Sequence, residues 1–581
     1  MKSHLISRVA ALVVGLALAV PGVAHAQSLP YGDVSGSAGG SGDDVSDGED
    51  GGDEGSEDAS GSPRTRKVHF TPYIEVQQVV TAEISPGSDT LTYSAVSVGA
   101  DANASGRSFN AGMAVRYQRR FGWGSNSGAD GDVISGMARA NVGIVPRAVY
   151  LEGGVMAARL GAENNGSTIA GQNFGDSATQ VYSAYAGPSV KTQAGDVSIE
   201  GRYRFGYNKV TSPNAVAAVP GQGAVDRYSD GTVHAAQLHM GTRPGEPLPV
   251  GVGVGAGWLR EDSSNLDQRV DDKNVRGDVT LPVGSSLALV GGVGYEDVKV
   301  SHRDAMIDTL TGLPVVDSSG QYVTDKSQPR QIAYESDGLI WDAGVIWRPG
   351  KRTALEAHVG RRYGSTTYFG SFAYAPSARS SLNISVYDNV TGFGGRLNKS
   401  LADMPTDFQG IQNPLTGGLS TCVAAVAEAG ASGGTCLNGA LASIRSSVFR
   451  GRGAIASFNV RGNSLQYGIG AGYDRRKFIA APGTVLASAN GLIDENYWVA
   501  AYLNGRIDRN SSFGTSVYAN WYQSGDALAG DTSSVGASAS YYRTLAKNLS
   551  ATLAVGINGV NREQLEDYWS ASALAGVRLS F

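Results

Sequence analysis

The sequence predicts an all-β chain: a transmembrane antiparallel β-barrel of about 22 strands (range about 18–24) with no plug domain. Three observations carry this reading. Segments with apolar side chains at every second position recur along the chain. Short and long connections take turns between them. The last segment, Ser570 to Phe581, alternates in the same way and stops on an aromatic residue.

The chain begins with a leader. Lys2 and Arg8 supply a basic start, Val9 to Val20 is apolar, and Ala24-His25-Ala26 precedes Gln27. This is the pattern of a secretory signal peptide over residues 1–26, cleaved between Ala26 and Gln27. No cysteine follows the cleavage point, which argues against a lipid anchor. Residues 27–67 then form a Gly-, Ser- and Asp-rich tail that is too polar to bury a core and is expected to be disordered. The whole chain carries a net charge of −6, but its first 63 residues hold two basic and ten acidic groups, leaving 45 basic and 43 acidic in the rest. The acidity therefore belongs to the tail and not to the barrel assigned to residues 68–581. A tail this short offers far too little folded chain for the plug of the TonB-dependent transporters, which share the 22-strand count.

Side chains alternate faces along a strand, so each repeat of period two reads as one wet and one greasy face. From Val68 to Thr81, Val68, Phe70, Ile74, Val76 and Val80 oppose His69, Thr71, Glu75 and Gln77. Ser108 to Phe121, Asp196 to Tyr207, Val250 to Trp258, Leu339 to Arg348, Leu465 to Arg476, Phe513 to Trp521 and Leu549 to Ile557 follow the same rule. A soluble sandwich also alternates, so the connections decide. Tight turns are expected at Pro146-Arg147, Ala194-Gly195, Pro244 to Pro247, Pro282 to Ser285, Arg348 to Arg352, Pro376 to Arg379, Gly462-Asn463, Arg509-Asn510 and Lys547-Asn548. Longer linkers are expected at 122–132, 162–177, 211–230, 261–273, 301–336, 393–447, 479–494 and 525–532. Outer-membrane barrels have this asymmetry of short periplasmic turns and long external loops. Trp347 at a short-turn end and Trp258, Trp498, Trp521 and Trp569 near long-loop ends are candidates for aromatic girdles.

The longest loop, 393–447, is expected to contain short helices at Thr421 to Ala429 and Leu437 to Ser447, and to fold into the barrel as a constriction. It carries the only two cysteines, Cys422 and Cys436. In an exported chain such a pair reads as a disulfide, stabilising by about 3 kcal/mol for a loop of this length.

No catalytic, cofactor or metal set emerges, and the chain is not expected to be an enzyme. The five histidines after residue 26, His69, His234, His239, His302 and His358, lack metal-ligand spacing. The glycine-dense stretches Gly251 to Gly257 and Gly291 to Gly294 lie inside strands, with no helix following to bind a nucleotide. Nothing suggests nucleic-acid binding. The informative residues are the charges assigned by parity to the barrel interior: Arg116, Arg120, Arg202, Arg204, Arg348, Arg362, Arg476, Glu75, Glu200, Glu356, Asp342 and Asp474. On a membrane strand a charge is tolerable facing water inside. Such a set is either a mutually paired lining or an arginine-rich path for anions. Tyr387, Tyr518 and Tyr522 share the inward parity and can stack on sugars.

Ser570 to Phe581 resembles the β-signal read by the barrel-assembly machinery of outer membranes, with Val577, Leu579 and Phe581 as its apolar positions. The resemblance implies a location in the outer membrane of a Gram-negative cell and contact with that machinery. This strand should pair with the Val68–Thr81 strand, because lipid does not tolerate an open sheet edge. A second resemblance rests on Val345-Ile346-Trp347-Arg348-Pro349-Gly350-Lys351-Arg352-Thr353-Ala354-Leu355, Gly360-Arg361-Arg362-Tyr363-Gly364, Ser377-Ala378-Arg379-Ser380-Ser381-Leu382 and Gly472-Tyr473-Asp474-Arg475-Arg476-Lys477-Phe478. These segments resemble a family of outer-membrane barrels associated with PEP-CTERM and exopolysaccharide systems of sphingomonad-type bacteria, best over about residues 335–581. The resemblance implies a link to polysaccharide-export components. The expected function is a passive conduit or export channel for anionic polysaccharide or other anionic solutes. The alternative is a surface-structural or adhesion barrel with a functional external loop.

Overall fold

The computed structural model describes residues 67–581 except 107, 124–129, 164–165, 170–177, 212–227, 246, 318–320, 405, 407, 410–414, 416–421 and 426–434. The leader, its cleavage point at Ala26 and Gln27, and the acidic tail with its no-plug expectation lie outside the described residues.

Twenty-two long strands form one antiparallel ring. In chain order they are β1 Lys67–Ser85, β2 Thr90–Ser105, β3 Phe109–Trp123, β4 Gly131–Val145, β5 Val149–Ala162, β6 Ala178–Ala194, β7 Val197–Thr211, β8 Asp230–Thr242, β9 Gly251–Ser263, β10 Gln268–Pro282 and β11 Leu287–His302. The second half comprises β12 Gln331–Gly350, β13 Thr353–Arg362, β14 Ser365–Ser377, β15 Ser380–Thr391, β16 Phe449–Arg461, β17 Leu465–Phe478, β18 Ile493–Arg506, β19 Ser511–Gln523, β20 Thr532–Ala546, β21 Leu549–Arg562 and β22 Tyr568–Ser580. Each strand pairs with its sequence neighbours, and β1 pairs with β22 from Tyr73↔Ser580 to Ser85↔Trp569, which closes the ring. The Phe581 amide extends this seam by donating to the Pro72 carbonyl at 3.0 Å.

Period two becomes inside and outside. On β1, Tyr73, Glu75, Gln77, Val79 and Thr81 are buried while Val68, Phe70, Ile74, Val76 and Val80 are exposed. Exposed Val275, Val279, Leu289, Val293, Leu339, Trp341 and Val359 continue the outward apolar surface round the ring. Glycines let large inward side chains lie against the wall. A Cβ at Gly292 would overlap the Arg276 guanidinium, and one at Gly472 would meet the Trp498 indole. An arginine at Val293, which is 68% exposed on β11, is expected to destabilise the membrane-inserted barrel by about 2–4 kcal/mol if that position lies at mid-bilayer depth. Equilibrium unfolding from lipid vesicles measures this, and a change below about 1 kcal/mol would place Val293 at the interface.

The connections at one end are all short, and they include every tight turn named from the sequence. The Gly195-Asp196 hairpin shows why: Gly195 has φ +60°, the first position of a type II′ turn. The other end carries the long connections, with four exceptions. Residues 86–89, Tyr363-Gly364 and residues 563–567 are short connections at this end, the second with φ of 54° and 66°. The expected linker 261–273 shrinks to Ser264–Asp267. Its charges look like loop, but Arg260 and Arg269 lie on paired strands and hold Asp262 at 2.7 and 2.5 Å. Strands of 10 to 20 residues also exceed the span of the hydrocarbon alone.

Two further expectations are corrected. Trp498 is buried inside and not part of an outer girdle. Within 421–429, residues Cys422–Ala425 form a strand instead of a helix. The helix of the long loop is α1, Phe393–Ala402, with a single turn α2, Asn438–Leu441, inside the second expected helix.

A helix clamped across the barrel interior

Residues 392–448 connect β15 to β16, and their described part turns inward at the long-loop end. α1 buries Phe393, Leu397 and Leu401 against Met137, Met156, Leu160, Val181, Tyr185 and Val210 of the wall. Phe393, Leu397 and Leu401 recur every four residues and give the helix one apolar stripe, whereas Gly394 and Gly395 lower its intrinsic helix propensity. It works here because its surroundings are wall on one side and the rest of the loop on the other.

Both helix ends are held by wall charges of the favourable sign. At the N-terminus the Glu261 carboxylate accepts from the backbone amides of Gly392 (2.7 Å) and Gly395 (2.8 Å) and from the Thr391 hydroxyl (3.0 Å). A helix start leaves such amides without intrahelical partners and carries partial positive charge. At the C-terminus Arg139 of β4 donates to the Ala402 carbonyl at 2.8 Å and to the Tyr185 hydroxyl at 2.9 Å. Between the ends, Asn398 donates to the Ala184 carbonyl at 2.9 Å. Arg396 donates to the Tyr387 hydroxyl at 2.5 Å and pairs with Asp474 at 3.0 Å. Burial alone would lower the pKa of Arg396, but Asp474 and Tyr387 more than offset it, so the group stays charged.

The rest of the loop is fastened on other sides. Leu415 packs with Val79, Tyr93, Ala554 and Leu574 from β1, β2, β21 and β22. Arg476 donates to the carbonyls of Gly439 (2.7 Å) and Ser443 (3.2 Å), and Gln268 donates to Ser446 at 3.1 Å. Val448 joins Val270, Val298, Tyr363 and Val390. Tyr228, just before β8, packs against Phe393 with ring centres 5.0 Å apart and planes tilted by 57°. Burial raises its phenol pKa well above the ordinary value and Glu261 adds to this, so it stays neutral. The described residues of the loop thus contact strands on different sides of the ring, β4 to β7 through α1 and β1, β2, β21 and β22 through Leu415.

Cys422 and Cys436 face each other directly in the register of two short antiparallel strands, Cys422–Ala425 and Thr435–Cys436. Their side chains lie outside the described residues.

The charges named from the sequence sit in four groups. Arg116 donates to Gln77 (2.6 Å) and Ser97 and lies 3.7 Å from Glu75, and Arg120 lies over the Tyr93 ring. Arg204 (2.8 Å) and Arg202 (3.5 Å) share Glu152, and Glu200 pairs with Lys191. Arg476 and Arg396 share Asp474. In the fourth group Arg276 grips Asp342 through two bonds of 2.7 and 2.8 Å and reaches Asp278 at 3.0 Å. His358 there bridges Asp342 (2.9 Å) and Glu356 (3.1 Å), with Phe369 stacked on it. Nearby, Arg362 grips Asp272 and reaches Glu296 at 3.2 Å. Arg348 stands apart, exposed at the short-turn end of β12. Most of these arginines thus contact a carboxylate, two to one at Glu152 and Asp474, whereas carboxylates are in excess around Arg276 and Arg362.

Sequence reasoning missed Glu261, Asp272 and Arg269 because they fell in the misread 261–273 linker. Arg139, Glu152 and Arg276 were legible by parity but not singled out. The charged groups named from the sequence lie on β1 to β13 and on β17, and further inward charges are Asp494 on β18, beside Arg445, and Arg578 on β22, beside Asp101. On β15 to β21 most of the inward side chains nearer the short-turn end are amides, hydroxyls and tyrosines. Tyr502 donates to Asn459 at 3.0 Å, Tyr518 to Asn558 at 3.3 Å, and Ser516 and Ser538 are 2.8 Å apart. Among the described residues, no group of three or more metal-ligating side chains occurs.

Neither a protein-family model nor a curated protein sequence matches the chain. Solved structures align over most of its length. The FrpB iron transporter from Neisseria meningitidis (F5-1 variant, apoprotein form) aligns with TM-score 0.41 and 11% identity, over 88% of this chain and 81% of that one. The siderophore receptor PiuA from Acinetobacter baumannii gives 0.40 and 10%, over 87% and 82%. The closed form of the ferric-catecholate import receptor Fiu from E. coli gives 0.43 and 10%, over 87% and 81%. Similarity at this level assigns neither a family nor a ligand.

Proposed function

We propose that the protein is an outer-membrane transport barrel whose interior path is closed at rest by the loop 392–448. The clamped helix carries this reading. A loop that served only the surface would not need Glu261 and Arg139 from the wall at its two ends. The outward apolar surface and the asymmetry of connections support the membrane placement. Insertion would go through the barrel-assembly machinery, with Val577, Leu579 and Phe581 as the signal.

The proposed cargo is an anionic polysaccharide or a related anionic solute, moving passively, and the protein is not an enzyme. The amide, hydroxyl and tyrosine side on β15 to β21 suits a glycan. Because most of the interior arginines contact carboxylates, they offer local anchor points more than a continuous positive path. Cys422 and Cys436 are proposed to be bonded, because directly opposed antiparallel residues lie about 4.5–5.5 Å apart at Cα, inside the disulfide range.

Planar-bilayer recording tests the reading. The full chain is expected to conduct weakly, and deletion of 393–447 to raise conductance several-fold with strand content kept. Equal conductance of both proteins would defeat the closed-conduit reading. One observation favours the surface-adhesion alternative: the external 303–330 connection presents Leu310 and Leu313, 94% and 65% exposed. Loss of cell-surface binding with unchanged permeability in the deletion would favour that role.

A further inference from the structure

The segment Tyr473 to Phe478 divides between the two faces of β17. Asp474 and Arg476 enter the interior network, whereas Arg475 and Lys477 point outward. The register places two more outward cations directly beside them. Arg450 is opposite Lys477 and Arg452 is opposite Arg475. Like charges directly opposite each other destabilise a sheet. Arg361, on the neighbouring part of the ring, is also outward and exposed.

The carboxylates on this face do not balance the cations. Asp388 takes both Arg450 (2.7 Å) and Arg452 (3.1 Å). Glu495 lies 3.5 Å from Arg475 and accepts from the hydroxyls of Tyr473 (2.8 Å) and Tyr497 (3.2 Å). Arg361 and Lys477 make no ion pair with any described residue. Five cations thus face two carboxylates. Elsewhere on the outer rim the balance holds or reverses: Arg119 has Asp132, and Lys299 has both Asp297 and Glu335.

Depth narrows the ligand. Arg450 is the second residue of β16 and Lys477 the next to last of β17, so the patch lies at the long-loop end. Below it, by strand parity, the same outward faces carry Ala454, Ala456, Phe458 and Val460 on β16, and Ile469, Tyr467 and Leu465 on β17. Cations above an apolar strip match an amphiphile with an anionic head, not a free anion. We propose that Arg361, Arg450, Arg452, Arg475 and Lys477 form a binding site for the phosphate-bearing headgroup of a lipid in the outer leaflet. Arg450 and Arg452 are already held by Asp388, Ser365 and the Thr366 carbonyl, so Arg361, Arg475 and Lys477 would supply the phosphate contacts, and the anion would relieve the repulsion between the paired cations. The site rests on the membrane placement proposed above but not on what passes through the interior.

Native mass spectrometry of the full chain in non-ionic detergent, titrated with bisphosphorylated lipid A, tests it. The protein is expected to retain lipid A and to bind its dephosphorylated form at least about tenfold more weakly. The Arg475→Gln, Lys477→Gln variant is expected to bind lipid A about thirtyfold more weakly, at roughly one surface-charge contribution per residue removed. Lys299→Gln, in a balanced sector, is expected to bind as the unaltered chain does. Heat-modified electrophoretic mobility confirms that each variant is folded. Equal binding of phosphorylated and dephosphorylated lipid overturns the proposal. So does unchanged affinity in the folded double variant, an equal loss in Lys299→Gln, or displacement of lipid A by millimolar inorganic phosphate.

Discussion

If the loop closes a conducting path as proposed, replacing Glu261 and Arg139 together by alanine is expected to convert a weakly conducting barrel into one that is open most of the time. Glu261 satisfies two backbone amides and one hydroxyl at the start of α1, and Arg139 satisfies a carbonyl at its end. Hydrogen bonds to a charged group contribute about 1.5–3 kcal/mol net. A cation at a helix C-terminus adds about 0.3–1 kcal/mol. Losing about 3 kcal/mol moves a closed-to-open equilibrium roughly a hundredfold. Alanine at 261 also strands the Gly392 and Gly395 amides inside the protein, so the effect should exceed that of Glu261→Gln, which keeps an acceptor. Single-channel open probability reads the outcome. An open probability equal to that of the unaltered chain, in a barrel of normal strand content, would show that α1 is held by its apolar contacts with Met137, Leu160 and Val181 alone.

Arg276→Ala is expected to give the largest loss of barrel stability. The guanidinium sits between Asp342 and Asp278, and all three side chains are buried. Removing one partner of a buried pair leaves an uncompensated charge and costs about 3–5 kcal/mol. Here two carboxylates lose their partner, although His358 still contacts Asp342 and His239 lies 3.3 Å from Asp278. The temperature at which the folded electrophoretic band disappears should fall. A second change, Asp342→Asn on the Arg276→Ala background, should recover part of the loss by removing one stranded charge. If the single variant melts like the unaltered chain, water reaches this part of the wall and screens the pair as it would on a surface.

How far the sequence reached can be judged from particular residues. Alternation from Val68 to Val80 and from Ala571 to Phe581 placed both seam strands, and their pairing closes the ring as expected. The turns at Ala194-Gly195 and Lys547-Asn548 were legible because their chemistry is local. The interior destination of the 393–447 loop was also anticipated. Its helix was not, since Phe393 to Ala402 contains two glycines and gains its stability from the surrounding wall. The 261–273 stretch misled for a related reason: charged residues at a barrel rim read as loop until their cross-strand partners are known.

The sequence by itself determined what depends on near neighbours: the face of each side chain, the count of strands, the alternation of short and long connections, and the closing seam. A period of two needs no knowledge of distant residues. Only the tertiary structure decided which charges meet. Arg276 finds Asp342 across 66 positions, and Glu261 finds Gly395 across 134. Arg450 and Arg452 come to lie beside Lys477 and Arg475 only because β16 and β17 pair in one register. Register fixes contacts, contacts fix which arginines are neutralised, and a shift of one residue would turn every inward charge to the outer, apolar face.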